Sequence, residues 1–152
     1  TTMSPLDSIY HYKKYLQAGM MSMEPQTGYV RAYVGGINYE HYQFDNVTLS
    51  RRQVGSTFKP FLYTLAMMPG EHDPCDKVPN VEVSFKTMED GEEKIYTPRY
   101  SPNDKENEMV TLKYGLAKSL NQISSYLMKQ YGPRNVIKIA KKMGVASHLE
   151  PV

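Results

Sequence analysis

The chain has 152 residues, a length that fits one domain and is short for two. Hydrophobic residues make up 40% and charged residues 22%, as in ordinary soluble globular proteins, and a net charge of +2 is too small to indicate nucleic-acid binding. A single cysteine excludes an internal disulfide, and four scattered histidines show no metal-ligand spacing, so we expect neither metal nor cofactor.

The first predicted element is a short helix that ends at about Leu16. Ser4 is placed to cap it, Pro5 occupies the first helical position, and Asp7 lies in the first turn. Three apolar side chains of this helix are expected to face inward: Leu6, Ile9 and Leu16.

A β-hairpin is predicted next, around the turn Pro25-Gln26-Thr27-Gly28. Glycine stands where the turn needs a positive φ. After the turn, apolar Val30, Ala32 and Val34 alternate with larger side chains, which is the period of a strand. We expect this hairpin to belong to a larger sheet.

A polar and aromatic connection over residues 36–55 leads to a helix over residues 56–68. Its apolar residues recur at helical spacing and predict a buried face: Phe58, Phe61, Leu62 and Leu65. With Thr57 as N-cap, Pro60 would lie at the third helical position, where its missing N–H is not needed.

Residues 69–110 are rich in Pro, Asp, Glu and Asn and predict a long loop. One small hairpin is expected within it, formed by VEVSFK and EKIY and joined through Asp90-Gly91. A loop-rich segment of this length inside a compact unit tends to be functional or to face a partner.

The last third predicts three helices. Thr111 caps the first, Gly132 ends the second, Pro133 opens the third, and Gly144 ends it. The inward residues expected in the third helix are Val136, Ile139, Ala140 and Met143. The whole pattern indicates an α+β unit with an N-terminal hairpin and a mostly helical second half.

Ser56 and Lys59 have the spacing of a serine nucleophile and its own base. Residues three apart share one face of a helix, so Oγ and Nζ could lie close together. Ser56 would also precede a helix N-terminus, with its N–H free to bind an oxyanion. A capping serine beside a solvated lysine is the alternative, because Ser-x-x-Lys arises about once by chance at this composition.

Three segments set this pair in context: MEPQTGYVRAYVGG, RRQVGSTFKPF and VTLKYGLAKSLN. Together they resemble the transpeptidase domain of class A penicillin-binding proteins, which polymerise and crosslink bacterial peptidoglycan. The resemblance covers about residues 17–146, and GSTFKPF after a hairpin is its most specific part. It implies a partial penicillin-binding-protein/β-lactamase-like fold.

The resemblance also implies roles for four residues. Ser56 would be the acylated nucleophile and Lys59 its general base, Ser119 would help to pass a proton to the leaving group, and Asn121 would bind the substrate amide. A second Ser-x-Asn occurs at residues 101–103. Ser119 is preferred because it follows VTLKYGLAK at a predicted helix junction.

The third family motif, Lys-Thr-Gly or Lys-Ser-Gly, does not occur in these 152 residues. Lys86-Thr87-Met88 lacks the glycine and precedes the second motif. The chain therefore resembles the first half of a transpeptidase domain, over residues 17–152, and residues 1–16 would be a linker from a preceding domain.

The function expected from the resemblance is that of a DD-transpeptidase fragment. We expect it to be inactive alone, because the third motif is absent, and prone to self-association, because the hairpin and the helix over residues 56–68 would expose apolar surface. Its partners would be D-Ala-D-Ala stem peptides and β-lactams, not nucleic acid. The resemblance places it outside the cytoplasmic membrane, in a parent protein that is membrane-anchored, although no apolar run here approaches the ~20 residues of a membrane span. The alternatives are a β-lactamase-like or carboxypeptidase module, a penicillin sensor, and a non-catalytic interaction domain.

Overall fold

The computed structural model describes residues 3–89, 91–99 and 105–151. Its contacts divide the chain into two units, residues 1–53 and residues 54–152, which are described separately. The alternative Ser-x-Asn at residues 101–103 and the hairpin residue Asp90 lie outside the described residues. In the described part of the chain, no helix is long and apolar enough to cross a membrane.

The first unit begins with helix α1, Pro5–Lys13, whose predicted cap is confirmed. The Ser4 hydroxyl accepts a hydrogen bond from the Asp7 N–H at 3.2 Å. The predicted inward stripe is wrong, because no residue of α1 is buried and the helix ends before position 16. All three residues of that stripe are exposed: Leu6, Ile9 and Leu16. An apolar stripe is buried only where another element covers it.

The predicted hairpin of the first unit is confirmed. Strand β1, Met20–Met23, pairs antiparallel with β2, Val30–Val34, and a bulge interrupts the register near Met23. Gly28 adopts a φ of +74° in the turn, a conformation that L residues rarely adopt. Every residue of the two strands is exposed, and within the described residues this sheet has only these two strands.

Helix α2, Lys59–Met67, lies at the centre of the second unit and buries Leu62, Tyr63 and Ala66. Burial raises the pKa of Tyr63 to about 12, so this side chain stays neutral in the core. Other members of the same cluster come from later helices: Leu112, Ile123, Leu127 and Val136. Three residues of the predicted buried face are only partly buried: Phe58, Phe61 and Leu65.

Two strand pairs form among the described residues of the loop-rich segment, and one of them was predicted. Strands β4, Phe85–Glu89, and β5, Glu92–Tyr96, form the expected hairpin, although β4 starts four residues later than the apolar pattern suggested. The other pair joins β3, Lys77–Pro79, to β6, Met109–Thr111. This second pair draws the two ends of the long segment together.

Three helices follow β6 in the described part of the second unit: α3, Leu112–Ala117; α4, Asn121–Tyr131; and α5, Pro133–Lys142. The predicted boundaries are confirmed, because the Thr111 hydroxyl accepts from the Tyr114 N–H and Gly132 and Gly144 have positive φ. Met143 was expected to be buried and is 55% exposed. It is the C-cap of α5 and lies beyond the face that the last turn buries.

Candidate active site

Ser56 lies in a 3-10 turn, Gly55–Phe58, that leads directly into α2. The predicted Thr57 cap is wrong: Phe58 is the N-cap of α2, and Pro60 therefore lies in the first two helical positions. The Thr57 hydroxyl instead donates to the Val54 carbonyl at 2.5 Å. The tighter turn explains the difference, because a threonine inside it can donate to the carbonyl three residues earlier.

Ser56 is exposed and its polar groups are available. Among the described residues, neither its hydroxyl nor its backbone N–H makes a hydrogen bond, while its carbonyl accepts from the Lys59 N–H. Gly55 adopts a φ of +52° immediately before it, and a side chain there would strain the turn. A hydroxyl and a free N–H at the start of a helix can act as a nucleophile and an oxyanion donor.

The Lys59 ammonium joins α2 to the residues between α3 and α4. Nζ lies 2.5 Å from the Ser119 carbonyl oxygen, 3.1 Å from Ser119 Oγ, and 2.8 Å from Asn121 Oδ1. These contacts join Lys59 to two residues that lie 60 and 62 positions further along the sequence. Three of the four predicted site residues thus meet, and Ser56 lies one turn away along the chain from Lys59.

Partial burial lowers the pKa of Lys59 below its ordinary value of 10.5. Desolvation disfavours an ammonium, whereas the three acceptors around Nζ favour it. A lysine with a lowered pKa holds more of the neutral amine at a given pH, which is the form that removes a proton.

Ser119 ends α3 in a conformation that glycine usually adopts. Its φ is +53°, its N–H donates to the Leu116 carbonyl, and the Leu120 N–H donates to the Gly115 carbonyl. This pair of hydrogen bonds is the Schellman arrangement, in which the residue after the C-cap is left-handed. The turn aims Ser119 Oγ at the Lys59 ammonium. A serine held in such a strained conformation is typical of functional sites.

Two substitutions at Ser119 separate backbone strain from the hydroxyl. Both Ser119→Gly and Ser119→Ala remove Oγ, but only alanine keeps a Cβ in the left-handed region. We expect the glycine variant to be more stable by about 1 kcal/mol, since left-handed strain of about 1–2 kcal/mol exceeds the extra entropy that glycine loses on folding. Urea denaturation measures the difference, and equal stabilities would contradict the strain.

Asn121 is the first residue of α4, and its amide is held from both sides. Oδ1 accepts from Lys59 Nζ, and Nδ2 donates to the Arg99 carbonyl at 3.0 Å. This pair of contacts fixes which end of the amide faces the lysine. Sequence reasoning missed Arg99, and no local pattern could have found it, because every residue carries a backbone carbonyl.

A cavity of about 1110 Å³ opens beside this cluster, within the second unit. It is bordered on one side by Lys59, Asn121 and Ser124 and on the other by the β4–β5 hairpin. Within the described residues, no group of three or more His, Cys, Asp or Glu could hold a metal ion. The chemistry that this site offers is that of a hydroxyl, an amine, a second hydroxyl and an amide.

The family profile described as the penicillin binding protein transpeptidase domain matches residues 18–149, nearly the whole chain. The chain belongs to this family. The class A resemblance is confirmed by two curated relatives in particular. Penicillin-binding protein 2D of Bacillus subtilis is 33% identical over 89% of this chain and 19% of its own length. Penicillin-binding protein 1A of Aquifex aeolicus is 32% identical over 90% of this chain and 18% of its own length.

A solved penicillin-binding protein shares the fold. The 2.6 Å crystal structure of penicillin-binding protein 1A from Haemophilus influenzae matches with a TM-score of 0.71 and 28% identity. The match covers 84% of this chain and 18% of that one. The predicted α+β class and partial transpeptidase fold are therefore confirmed, and the chain spans about a fifth of the length of these penicillin-binding proteins.

Proposed function

We propose that this chain is the N-terminal part of a serine DD-transpeptidase domain, residues 17–152, which crosslinks peptidoglycan stem peptides and is acylated by β-lactams. Residues 1–16 are then a linker from a preceding domain. The parent protein is membrane-anchored and works on the outer side of the cytoplasmic membrane. Family membership and the cluster around Lys59 support this proposal.

The proposed reaction starts at Ser56. Its Oγ attacks the carbonyl carbon of the penultimate D-Ala, and the Lys59 amine takes the hydroxyl proton. The peptide C–N bond then breaks, and the departing D-Ala nitrogen receives a proton through Ser119. An amine of a neighbouring stem peptide attacks the resulting ester, forms the new peptide bond, and returns Ser56 to its hydroxyl form.

The observation that carries the proposal is the position of Lys59 Nζ. It lies 3.1 Å from Ser119 Oγ while its own residue sits one helical turn after Ser56. One amine can therefore serve both the attacking hydroxyl and the hydroxyl that protonates the leaving group. Among the described residues, Nζ makes no hydrogen bond to Ser56. Catalytic hydrogen bonds often tighten only when substrate binds.

We further propose that the 152-residue chain is nearly inactive alone. Family members complete the cleft with a third-motif strand, and that motif is not among these residues. Lys59 borders an open cavity of about 1110 Å³, so water reaches its ammonium. Losing one oxyanion donor typically lowers the rate by about 100- to 1000-fold.

A chimera tests the proposal. Residues 18–149 replace the matching segment of the Aquifex aeolicus penicillin-binding protein 1A, and the chimera, its Ser56→Ala variant and the 152-residue chain are each incubated with fluorescent penicillin. We expect the chimera to be labelled at Ser56, the variant to stay unlabelled, and the isolated chain to react at least about 100-fold more slowly. Rapid stoichiometric labelling of the isolated chain would contradict its inactivity.

The fate of the acyl group on the chimera distinguishes the alternatives. Slow release that is accelerated by an acceptor amine indicates a transpeptidase. Fast hydrolysis indicates a β-lactamase-like module, and stable acylation without transfer indicates a penicillin sensor. A folded chimera that penicillin never labels would contradict serine catalysis altogether.

Self-association of the isolated chain is a further expectation. The two strands of the first unit expose six large apolar side chains: Met20, Met21, Met23, Val30, Tyr33 and Val34. Exposed strands with free edges tend to pair with another chain. Light scattering should show dimers or larger species, and Val34→Lys should shift them toward monomer. A monodisperse monomer at high protein concentration would contradict this expectation.

A further inference from the structure

Among the described residues, the charged side chains that line the cavity beside Lys59 are all basic. Three bases border it, Lys59, Lys86 and Arg99, and no described carboxylate does. A concave site with one sign of charge concentrates ligands of the opposite sign. An anionic group on the ligand is therefore favoured in this cavity.

Two of these three cations already have partners. The Lys59 ammonium is bonded to Ser119 and Asn121. Lys86 Nζ lies 2.8 Å from Glu93 Oε1 across the β4–β5 hairpin. The Arg99 guanidinium, by contrast, makes no hydrogen bond or ion pair within the part of the chain that the structure describes.

Arg99 is positioned by its own backbone. Its carbonyl accepts the hydrogen bond from Asn121 Nδ2, and the preceding Pro98 restricts the chain that leads to it. The backbone of Arg99 is therefore fixed next to the Asn121 amide, which would bind the substrate backbone. This anchoring distinguishes it from an arginine on a free loop.

We propose that Arg99 binds a carboxylate of the peptide donor and so selects acidic donors for the site. The proposal rests on the proposed function for the identity of the ligand as a peptide. A guanidinium fork matches a carboxylate with two parallel hydrogen bonds, and Arg99, which has no side-chain partner among the described residues, can form them. The carboxylate could be the C-terminal one or that of an acidic side chain, and the experiment separates the two.

The test is a binding experiment on the 152-residue chain and does not require turnover. Three peptides are titrated: acetyl-D-Ala-D-Ala with a free C-terminus, its C-terminal amide, and acetyl-D-Glu-D-Ala-D-Ala amide. NMR follows the Arg99 Nε–Hε resonance, which is assigned by its loss in Arg99→Gln. We expect at least one carboxylate peptide to shift this resonance and to bind about tenfold more tightly than the neutral amide.

Matched variants show whether Arg99 itself is responsible. Arg99→Gln should abolish the preference for a carboxylate, and Arg99→Lys should retain only part of it. Arg134→Gln removes the same charge from an exposed position of the same unit that does not line the cavity, and should leave the preference intact. Added salt should weaken binding of the carboxylate peptides and leave that of the neutral peptide nearly unchanged.

The outcomes are decisive for both proposals. Equal binding of the three peptides, no binding of any, or a preference that survives Arg99→Gln would overturn the role of Arg99. The Ser56→Ala chain should keep the preference, because binding precedes acylation. If the chain prefers carboxylate peptides through Arg99 but penicillin never labels the chimera, serine catalysis is contradicted and the carboxylate site is supported. If penicillin labels the chimera but the chain shows no preference, serine catalysis is supported and the carboxylate site is contradicted.

Discussion

Replacing Lys59 by methionine in the chimera is expected to slow penicillin acylation of Ser56 by about 10²- to 10⁴-fold, the range that positioned proton transfer contributes. Methionine keeps the length and the apolar stem of lysine but has no amine. The proton of Ser56 would then have to pass to water. Stopped-flow labelling of the chimera measures the acylation rate.

The pH profile of the chimera tests whether Lys59 is the base. Because burial lowers its pKa from 10.5, the neutral amine is reached at a lower pH than for an ordinary lysine. The acylation rate of the chimera should therefore rise with pH through the pKa of Lys59 and level off above it, whereas Lys59→Met should lose this rise. Lys113→Met, at an exposed position of α3, should change neither the rate nor the profile. An unchanged rate in Lys59→Met would mean that another group removes the proton.

Gly115→Ala is expected to lower the free energy of unfolding by about 1–3 kcal/mol, the usual effect of overpacking a core. A Cβ at this position would lie 2.9 Å from Ile123 Cγ2 and 3.0 Å from the Tyr63 hydroxyl oxygen. Elsewhere in a helix, the same substitution gains up to about 1 kcal/mol from helix propensity. The absence of a side chain therefore lets α3 approach α4 and α2 closely. Urea unfolding of the 152-residue chain measures the effect.

A double-mutant cycle identifies the contact. In the Ile123→Ala background two of the three nearest atoms are gone, while the Tyr63 hydroxyl oxygen stays 3.0 Å away, so the loss caused by Gly115→Ala should become smaller there. An equal loss in both backgrounds would place the strain at Tyr63 or elsewhere in α3. A stabilising effect in the unmodified chain would mean that Ile123 and Tyr63 move aside without cost.

The features predicted correctly from sequence are those decided within a few residues. Ser4 caps α1 through a hydrogen bond three residues along, and Gly132 and Gly144 end helices by adopting positive φ themselves. The Gly28 turn and the Thr111 cap are of the same kind. In each case one side chain, or its absence, determines the local backbone.

The features that could not be predicted depend on distant partners. Strands β3 and β6 have three residues each, too few to show a period, and they are stable only because they pair. The contact of Asn121 with the Arg99 carbonyl has no sequence signal at all. The proposed roles of Ser56, Lys59 and Ser119 rest on family resemblance, since Ser-x-x-Lys alone is expected by chance. The three hydrogen-bond acceptors around Lys59 Nζ are visible only in the structure, because no sequence motif specifies them.

The hydrogen bonds between Lys59 and Ser119 have a consequence for folding. They close a loop of 60 residues, and closing a flexible loop of that length costs roughly 3–4 kcal/mol of chain entropy. Contacts of such long sequence separation form late and are lost whenever the second unit opens. An incompletely folded chain thus has no lysine beside the second serine, even if α2 has already formed. In the chimera, the yield of penicillin labelling should therefore report the fraction of molecules that have completed folding rather than the total amount of protein.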